Sequence, residues 1–407
     1  MNNLNQATSA DRIHIGFFGM RNAGKSSLVN AITGQALSVV SDVAGTTTDP
    51  VKKAMELLPV GPVVIIDTPG LDDEGELGEL RVQKAKEILA TVHVAVLVVD
   101  AAKGLSELDT TLVTLFEERK LPYLVALNKA DTLADRPTVP TSHYVSAKTG
   151  EGVSALKDAI AALAKNTGNT RRLVADLLKD GDLVLLVTPI DESAPKGRLI
   201  LPQQNTIRDI LDAHCTVVVC QDTELEKTLS MLAVRPRLVV TDSQAFGRVA
   251  KLLPADIPLT SFSILFARFK GDLPSLIRGA NALSNLKDGD RVVISEGCTH
   301  HRQCGDIGSV KLPRWIEEFT GVKPAFTFTS GGDFPADLAD CKLVIHCGGC
   351  MLTEKEMAHR MEIARAAGVP MVNYGVAIAH MHGILQRSLA PFSDAQRIPS
   401  KEKEDTP

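Results

Sequence analysis

The apolar run 13–18 leads straight into Gly19-Met-Arg-Asn-Ala-Gly-Lys-Ser26. This G-x-x-x-x-G-K-S spacing constrains the fold more than any other stretch. It requires a strand, a tight glycine loop and a helix, with the loop's N–H groups turned toward phosphate. A helix over 26–32 would aim the positive end of its dipole at the same charge. Gly19, Asn22, Ala23, Gly24, Lys25, Ser26 and Ser27 form the candidate phosphate-binding set. Lys25 would reach the β- and γ-phosphates, and Ser26 would hold Mg2+.

Three later segments share this logic, each expected at the end of a strand. Asp67-Thr-Pro-Gly70 follows the apolar run 63–66. Asp67 would complete the magnesium shell, and the Gly70 N–H would meet the γ-phosphate. Asn128-Lys-Ala-Asp131 follows 123–127 and adds Asn128, Lys129 and Asp131. A carboxylate there accepts both N1–H and N2–H of guanine, which adenine cannot supply. Ser146-Ala-Lys148 follows another short strand, and the backbone of Ser146, Ala147 and Lys148 is positioned to contact the guanine oxygen. The nucleotide expected is GTP.

These four loops resemble the G domain of translation-factor-like GTPases, especially the Era and tRNA-modification branch. Gly45-Thr-Thr-Thr-Asp49 is similar to that branch's switch sequence G-T-T-R-D. The resemblance implies that Thr47 binds magnesium in the GTP state, next to Thr46, and that Thr48 replaces the branch's arginine. It also implies K+ bound through Asn22. Leu71 occupies the place of a water-orienting glutamine, so slow, potassium-stimulated hydrolysis is expected. Its catalytic set would be Lys25, Thr47, Asp67, Gly70 and Asn22. The cluster Asp72, Asp73, Glu74 and Glu76 is either a water-positioning group or a solvated switch loop.

At 407 residues the chain exceeds one ordinary core, so two or three domains are expected. A net charge of −5 and an aromatic content of 4% argue against a nucleic-acid partner. The longest apolar run, 92–99, is too short to span a membrane, and the N-terminus lacks a basic-then-apolar leader. A reducing cytoplasm is therefore expected. The seven cysteines do not read as a disulfide framework.

The polar run 165–170 reads as a linker. Beyond it, strands are expected at 183–187, 216–220 and 238–241, alternating with helices over 203–212, 223–233 and 243–253. This βαβ-type unit carries no phosphate loop or acid–base pair, so an interaction or dimerisation role is its default. Four more strands are expected at 291–295, 324–328, 343–345 and 370–373. Helices are expected over 263–269, 273–285, 313–319, 354–367 and 376–389. The fold class is thus α/β throughout. A P-loop GTPase domain (1–170) precedes a small βαβ dimerisation domain (171–261). A doubly wound domain (262–392) and a disordered tail (393–407) follow.

Soft ligands gather at two strand ends of the last domain. Strand 291–295 runs into Glu296-Gly-Cys-Thr-His300, and 343–345 runs into His346-Cys-Gly-Gly-Cys350. Cys298, His300, His346, Cys347 and Cys350 could converge at one rim. Such ligands suit an iron–sulfur cluster or zinc, and zinc could close a tetrahedron on Cys298, Cys304, Cys347 and Cys350.

C-x-H followed downstream by H-C-x-x-C, behind a GTPase domain, resembles the HydF family of FeFe-hydrogenase maturation GTPases. The likeness covers essentially the whole chain. It implies a 4Fe-4S cluster on Cys298, Cys347 and Cys350, with His300 and His346 as candidates for the fourth position. It implies a homodimeric scaffold that accepts a diiron H-cluster precursor, works with two radical-SAM maturases, and delivers to apo FeFe-hydrogenase. Readings from other classes are a potassium-dependent GTPase of RNA modification or ribosome assembly, a zinc-stabilised regulatory GTPase, and a redox enzyme using the cluster for electron transfer.

Overall fold

Long Val/Ile/Leu runs that are buried on both faces can only be central strands of parallel sheets. The computed structural model describes residues 10, 12–34, 51–68, 87–137, 141–165, 167, 171–190, 199–298, 306–335 and 337–392. They fall into two compact units, Met1–Thr170 and Arg171–Pro407.

In the first unit six strands form one sheet: β1 Ile13–Phe18, β2 Val51–Leu57, β3 Gly61–Asp67, β4 Val94–Asp100, β5 Tyr123–Asn128 and β6 Ser142–Tyr144. Their order is β2-β3-β1-β4-β5-β6, and only β2 runs antiparallel to its neighbour. Alternate residues feed two separate cores. Val94, Val96 and Val98 pack with Leu28 and Ile160 on one face. Ala95, Leu97 and Val99 pack with Leu112 and Phe116 on the other. The helices Lys25–Thr33 and Val153–Lys165 thus cover one face, and Glu107–Glu118 covers the other. Ser106 and Asp109 close a capping box on that last helix.

The second unit holds two four-stranded sheets, each parallel throughout. The first comprises β7 Leu183–Val187, β8 Thr216–Cys220, β9 Leu238–Thr241 and β10 Leu259–Ser261, in the order β10-β9-β7-β8. The second comprises β11 Arg291–Glu296, β12 Ala325–Ser330, β13 Cys341–His346 and β14 Met371–Asn373, in the order β12-β11-β13-β14. One apolar core runs through both, from Leu185 and Val239 to Val293 and Val344. Phe262–Lys270, the helix that begins directly after β10, contributes Ile264, Leu265 and Phe266 to it. Cys215, Cys220 and Cys341 are buried in this core as small hydrophobes.

Three local expectations change. The helix expected over 376–389 is broken into Tyr374–Met381 and Leu385–Leu389, because Gly383 takes φ +69° between them. The helix expected over 203–212 already starts at Leu201 and runs to Asp212, with Pro202 in its first turn. Most consequentially, His346 lies within β13 and not in the loop beyond it. It pairs with Ser295 on one side and Asn373 on the other.

Candidate functional sites

Parallel neighbours β3, β1, β4 and β5 end on the same edge of the first sheet. Gly19 at the end of β1 has φ +136°, and a Cβ there would stand 2.2 Å from the Val98 carbonyl oxygen. Gly24 has φ +88°, and its Cβ would stand 2.3 Å from Asn128 Nδ2. Both positions therefore require glycine. Gly24 is the N-cap of Lys25–Thr33 and brings no capping side chain, so the helix's first amides face the loop mouth. Lys25 is buried and donates to the carbonyls of Gly19 (3.0 Å) and Met20 (2.8 Å). Asn22 is exposed, with φ 58°.

Ser26 Oγ donates to Asp67 Oδ2 at 2.6 Å. Two hard oxygens converge here from separate elements, a donor set that suits a magnesium ion keeping much of its water. Thr46, Thr47 and Gly70 lie outside the described residues, as do Leu71 and the acidic cluster 72–76.

Asn128 ties three loops together. Its Nδ2 donates to the Ala23 carbonyl at 2.9 Å, and its Oδ1 accepts from the Ala147 N–H at 3.1 Å. Lys129 takes φ 64°, and its ammonium reaches Asp100 at 2.7 Å. Burial pushes the Asp100 carboxyl up, but Lys129, the Ala102 N–H and Lys103 together offset that and hold it below the usual value. Asp131 is exposed and accepts from Ser146 Oγ at 2.6 Å. That hydrogen bond is the main reason its carboxyl sits below the usual range. Lys148 is exposed beside it.

The second candidate site lies where strand order reverses in the last sheet, between β11 and β13. Such a switch point opens a crevice at the carboxyl ends of its strands. Cys298 stands just past β11, and Cys347 follows β13 directly. The Gly297 N–H donates to Cys347 Sγ at 3.1 Å, and the Gly349 N–H does so at 3.4 Å. Burial first, then Cys347 and Cys350, push the Cys298 thiol up to about 12. Burial likewise pushes Cys347 up to about 11. Burial, with the neighbouring sulfurs as a smaller cause, thus keeps these thiols neutral until a bound metal stabilises the thiolate.

No disulfide joins the described cysteines. Among the described residues, no three His, Cys, Asp or Glu side chains are gathered so as to hold a metal ion. The donor chemistry, three soft thiols of which Cys347 accepts two N–H···S bonds, is of the kind that an iron–sulfur cluster takes. His300, His301 and Cys304 lie outside the described residues.

His346 is placed for another task. Its side chain is fully buried, with Nδ1 2.8 Å from the Cys347 carbonyl oxygen and Nε2 2.9 Å from Arg360 Nη1. Arginine can only donate, so Nε2 accepts and the proton sits on Nδ1. Burial, then the Arg360 charge, push the imidazole down to about 3. It is neutral, and both nitrogens are engaged, which runs against its expected role as a ligand. Arg360 is itself buried. It also donates to Ser295 Oγ (3.3 Å) and the Gly331 carbonyl, and it lies over the Phe334 ring at 5.3 Å.

A family model for the hydrogen maturase F dimerization domain matches residues 173–271. A second, for the hydrogen maturase F tetramerization domain, matches residues 274–391. Together they occupy more than half of the chain. The chain belongs to the hydrogen maturase F family. Residues 14–129 match a third model, described as a 50S ribosome-binding GTPase.

Curated relatives match part of the chain. GTPase Der of Sulfurimonas denitrificans is 37% identical over 127 residues, 30% of this chain and 26% of that protein. The tRNA modification GTPase MnmE of Nitrosomonas europaea is 35% identical over 156 residues, 37% of this chain and 34% of that protein. The chain thus spans about a quarter to a third of the length of these relatives. The Era structure from Aquifex aeolicus is 19% identical, covering 59% of this chain and 97% of that one at a TM-score of 0.34. An overlap that low carries no weight by itself. No helix among the described residues is long and apolar enough to cross a membrane.

Sequence reasoning passed over Lys270, Arg360, Ser295 and the buried pair Glu296–Tyr374, whose hydroxyl donates to Glu296 Oε1 at 3.2 Å. The available signal was a cation inside a largely apolar helix, as in Phe-Ser-Ile-Leu-Phe-Ala-Arg-Phe-Lys270. Such a charge is either solvated or buried with partners, and the sequence does not distinguish the two.

Proposed function

We propose that this maturase binds and hydrolyses GTP on its first unit and carries a 4Fe-4S cluster on Cys298, Cys347 and Cys350 in its second. On this reading it receives a diiron H-cluster precursor and passes it to apo FeFe-hydrogenase, working with two radical-SAM maturases in a reducing cytoplasm. The meeting of Cys298 and Cys347 at adjacent strand ends, in a chain matching both maturase F domains, supports this most.

The residues divide the work as follows. Gly19 to Ser27 cradle the phosphates, and Lys25 leaves the Gly19 and Met20 carbonyls for the β- and γ-oxygens. Ser26 and Asp67 hold Mg2+, joined by Thr47. Asn22 holds K+, whose charge does the work of an arginine finger, and Gly70 meets the γ-phosphate. Asp131 accepts from guanine, with Asn128, Lys129 and the Ser146 to Lys148 backbone around the base. The cluster, when bound, supplies an exchangeable iron position at which the precursor docks. His300 is the remaining histidine candidate for that iron. Residues 171–261 carry the homodimer contact and 262–392 the cluster. GTP hydrolysis biases partner docking through the switch loops.

The test is anaerobic reconstitution with iron and sulfide, followed by EPR of the reduced protein and zinc analysis of the same sample. A 4Fe-4S signal that disappears in Cys347→Ala is expected. Stoichiometric zinc without iron would sink the carrier reading. Hydrolysis is measured in potassium and in sodium, and equal rates would remove the role of Asn22. The Der and MnmE relatives favour one second reading, an RNA-linked GTPase. RNA-stimulated turnover would revive it.

A further inference from the structure

Lys270 ends the helix Phe262–Lys270 and is only 4% exposed. Its ammonium donates to the carbonyl oxygens of Leu352 (2.7 Å), Cys350 (2.9 Å) and Gly349 (3.3 Å). It also lies over the Phe266 ring at 5.3 Å. A lysine ammonium has three hydrogens, so three converging carbonyls satisfy a charge that would otherwise be very costly to bury. Two of the carbonyls belong to the C-x-x-C segment, and the third, of Leu352, lies two residues beyond it. They turn inward toward Lys270, while the Gly349 N–H turns to Cys347 Sγ and Leu352 N–H closes a turn on Gly349 at 3.1 Å. Gly349 permits this with φ +66°.

We propose that Lys270 is the positioning residue of the C-x-x-C loop. Its buried ammonium locks the carbonyls of residues 349, 350 and 352 inward and sets a full positive charge beside the negative charge that an iron–sulfur cluster brings. The second part rests on the carrier reading above. The first rests on the fold alone. Lys270 touches neither cluster nor cargo; it acts through the loop.

The test compares Lys270→Met with Lys270→Arg in the full-length chain. In cluster-free protein, iodoacetamide labelling of Cys347 and Cys350 is followed by mass spectrometry. Loss of a charge-assisted hydrogen bond should free the loop, with labelling about tenfold faster in the methionine variant. The arginine variant keeps the charge and its donors and should stay near the parent rate. Unchanged labelling in the methionine variant would overturn the proposal. Equal acceleration in both variants would also overturn it, because the stem's fit would then hold the loop. In reconstituted protein the methionine variant should be harder to reduce by about tenfold in equilibrium constant, or 59 mV for one electron. An unchanged potential removes the electrostatic part. If the parent takes up no iron, the carrier reading fails, and labelling still judges the loop. Should the methionine variant not fold, Lys270→Gln, a neutral donor, is read by the same measurements.

Discussion

Replacing His346 with alanine should weaken the fold of the second unit before it weakens metal binding. The imidazole accepts from the Arg360 guanidinium at 2.9 Å and faces the Cys347 carbonyl oxygen at 2.8 Å. Losing an acceptor for a buried charged donor costs about 2 kcal/mol, and losing a neutral hydrogen bond costs about 1 kcal/mol. A loss of about 3 kcal/mol follows before any cavity term. At a urea slope of about 2 kcal/mol/M, that moves the midpoint down by about 1.5 M. The chain's one tryptophan, Trp315, lies in this unit, so its fluorescence reports the unit directly. His346→Gln puts an amide oxygen near the Nε2 position and should lose only about 1 kcal/mol. In a double-mutant cycle with Arg360→Met the two positions should couple by about 2 kcal/mol. An alanine variant with an unchanged urea midpoint but no iron would refute the reasoning and return His346 to the ligand set.

Four further outcomes follow from the geometry. Asn128→Ala removes the tie between the phosphate loop and the 146–148 backbone and should weaken GTP binding by at least about tenfold, read with a fluorescent GTP analogue. Asp131→Asn should lose GTP and gain xanthosine triphosphate, because an amide cannot accept two guanine N–H groups; unchanged selectivity in competition binding would contradict the assignment. Asp131 is held below its ordinary value chiefly by Ser146. The carboxylate is therefore present at higher pH and lost as pH falls through the depressed value, so Ser146→Ala should move the acid limb of GTP binding to higher pH. Gly279→Ala would set a Cβ 1.9 Å from the Met371 carbonyl oxygen. It should destabilise the second unit by about 3 kcal/mol, seen in Trp315 unfolding.

The N-terminal unit was legible in the sequence because its chemistry is local. A phosphate loop needs particular glycines at fixed spacing, and Gly19 and Gly24 meet atoms that leave no room for a side chain. The strands that end in Asp67 and Asn128 are apolar on both faces, which only a covered parallel sheet explains. The cysteine positions were equally open to reading, since Cys298 and Cys347 each follow an apolar run. What the sequence by itself determined, then, is which segments are strands, where their loops carry chemistry, and which ligand types those loops offer. Only the tertiary structure decided the rest. It drew His346 into β13, where its nitrogens serve Arg360 and the backbone. It joined two sheets through one core and brought Lys270 under a loop far along the chain. Those outcomes depend on partners distant in sequence. Whether a buried polar group is satisfied is settled by the side chains and carbonyls that packing brings to it, and no local pattern records them.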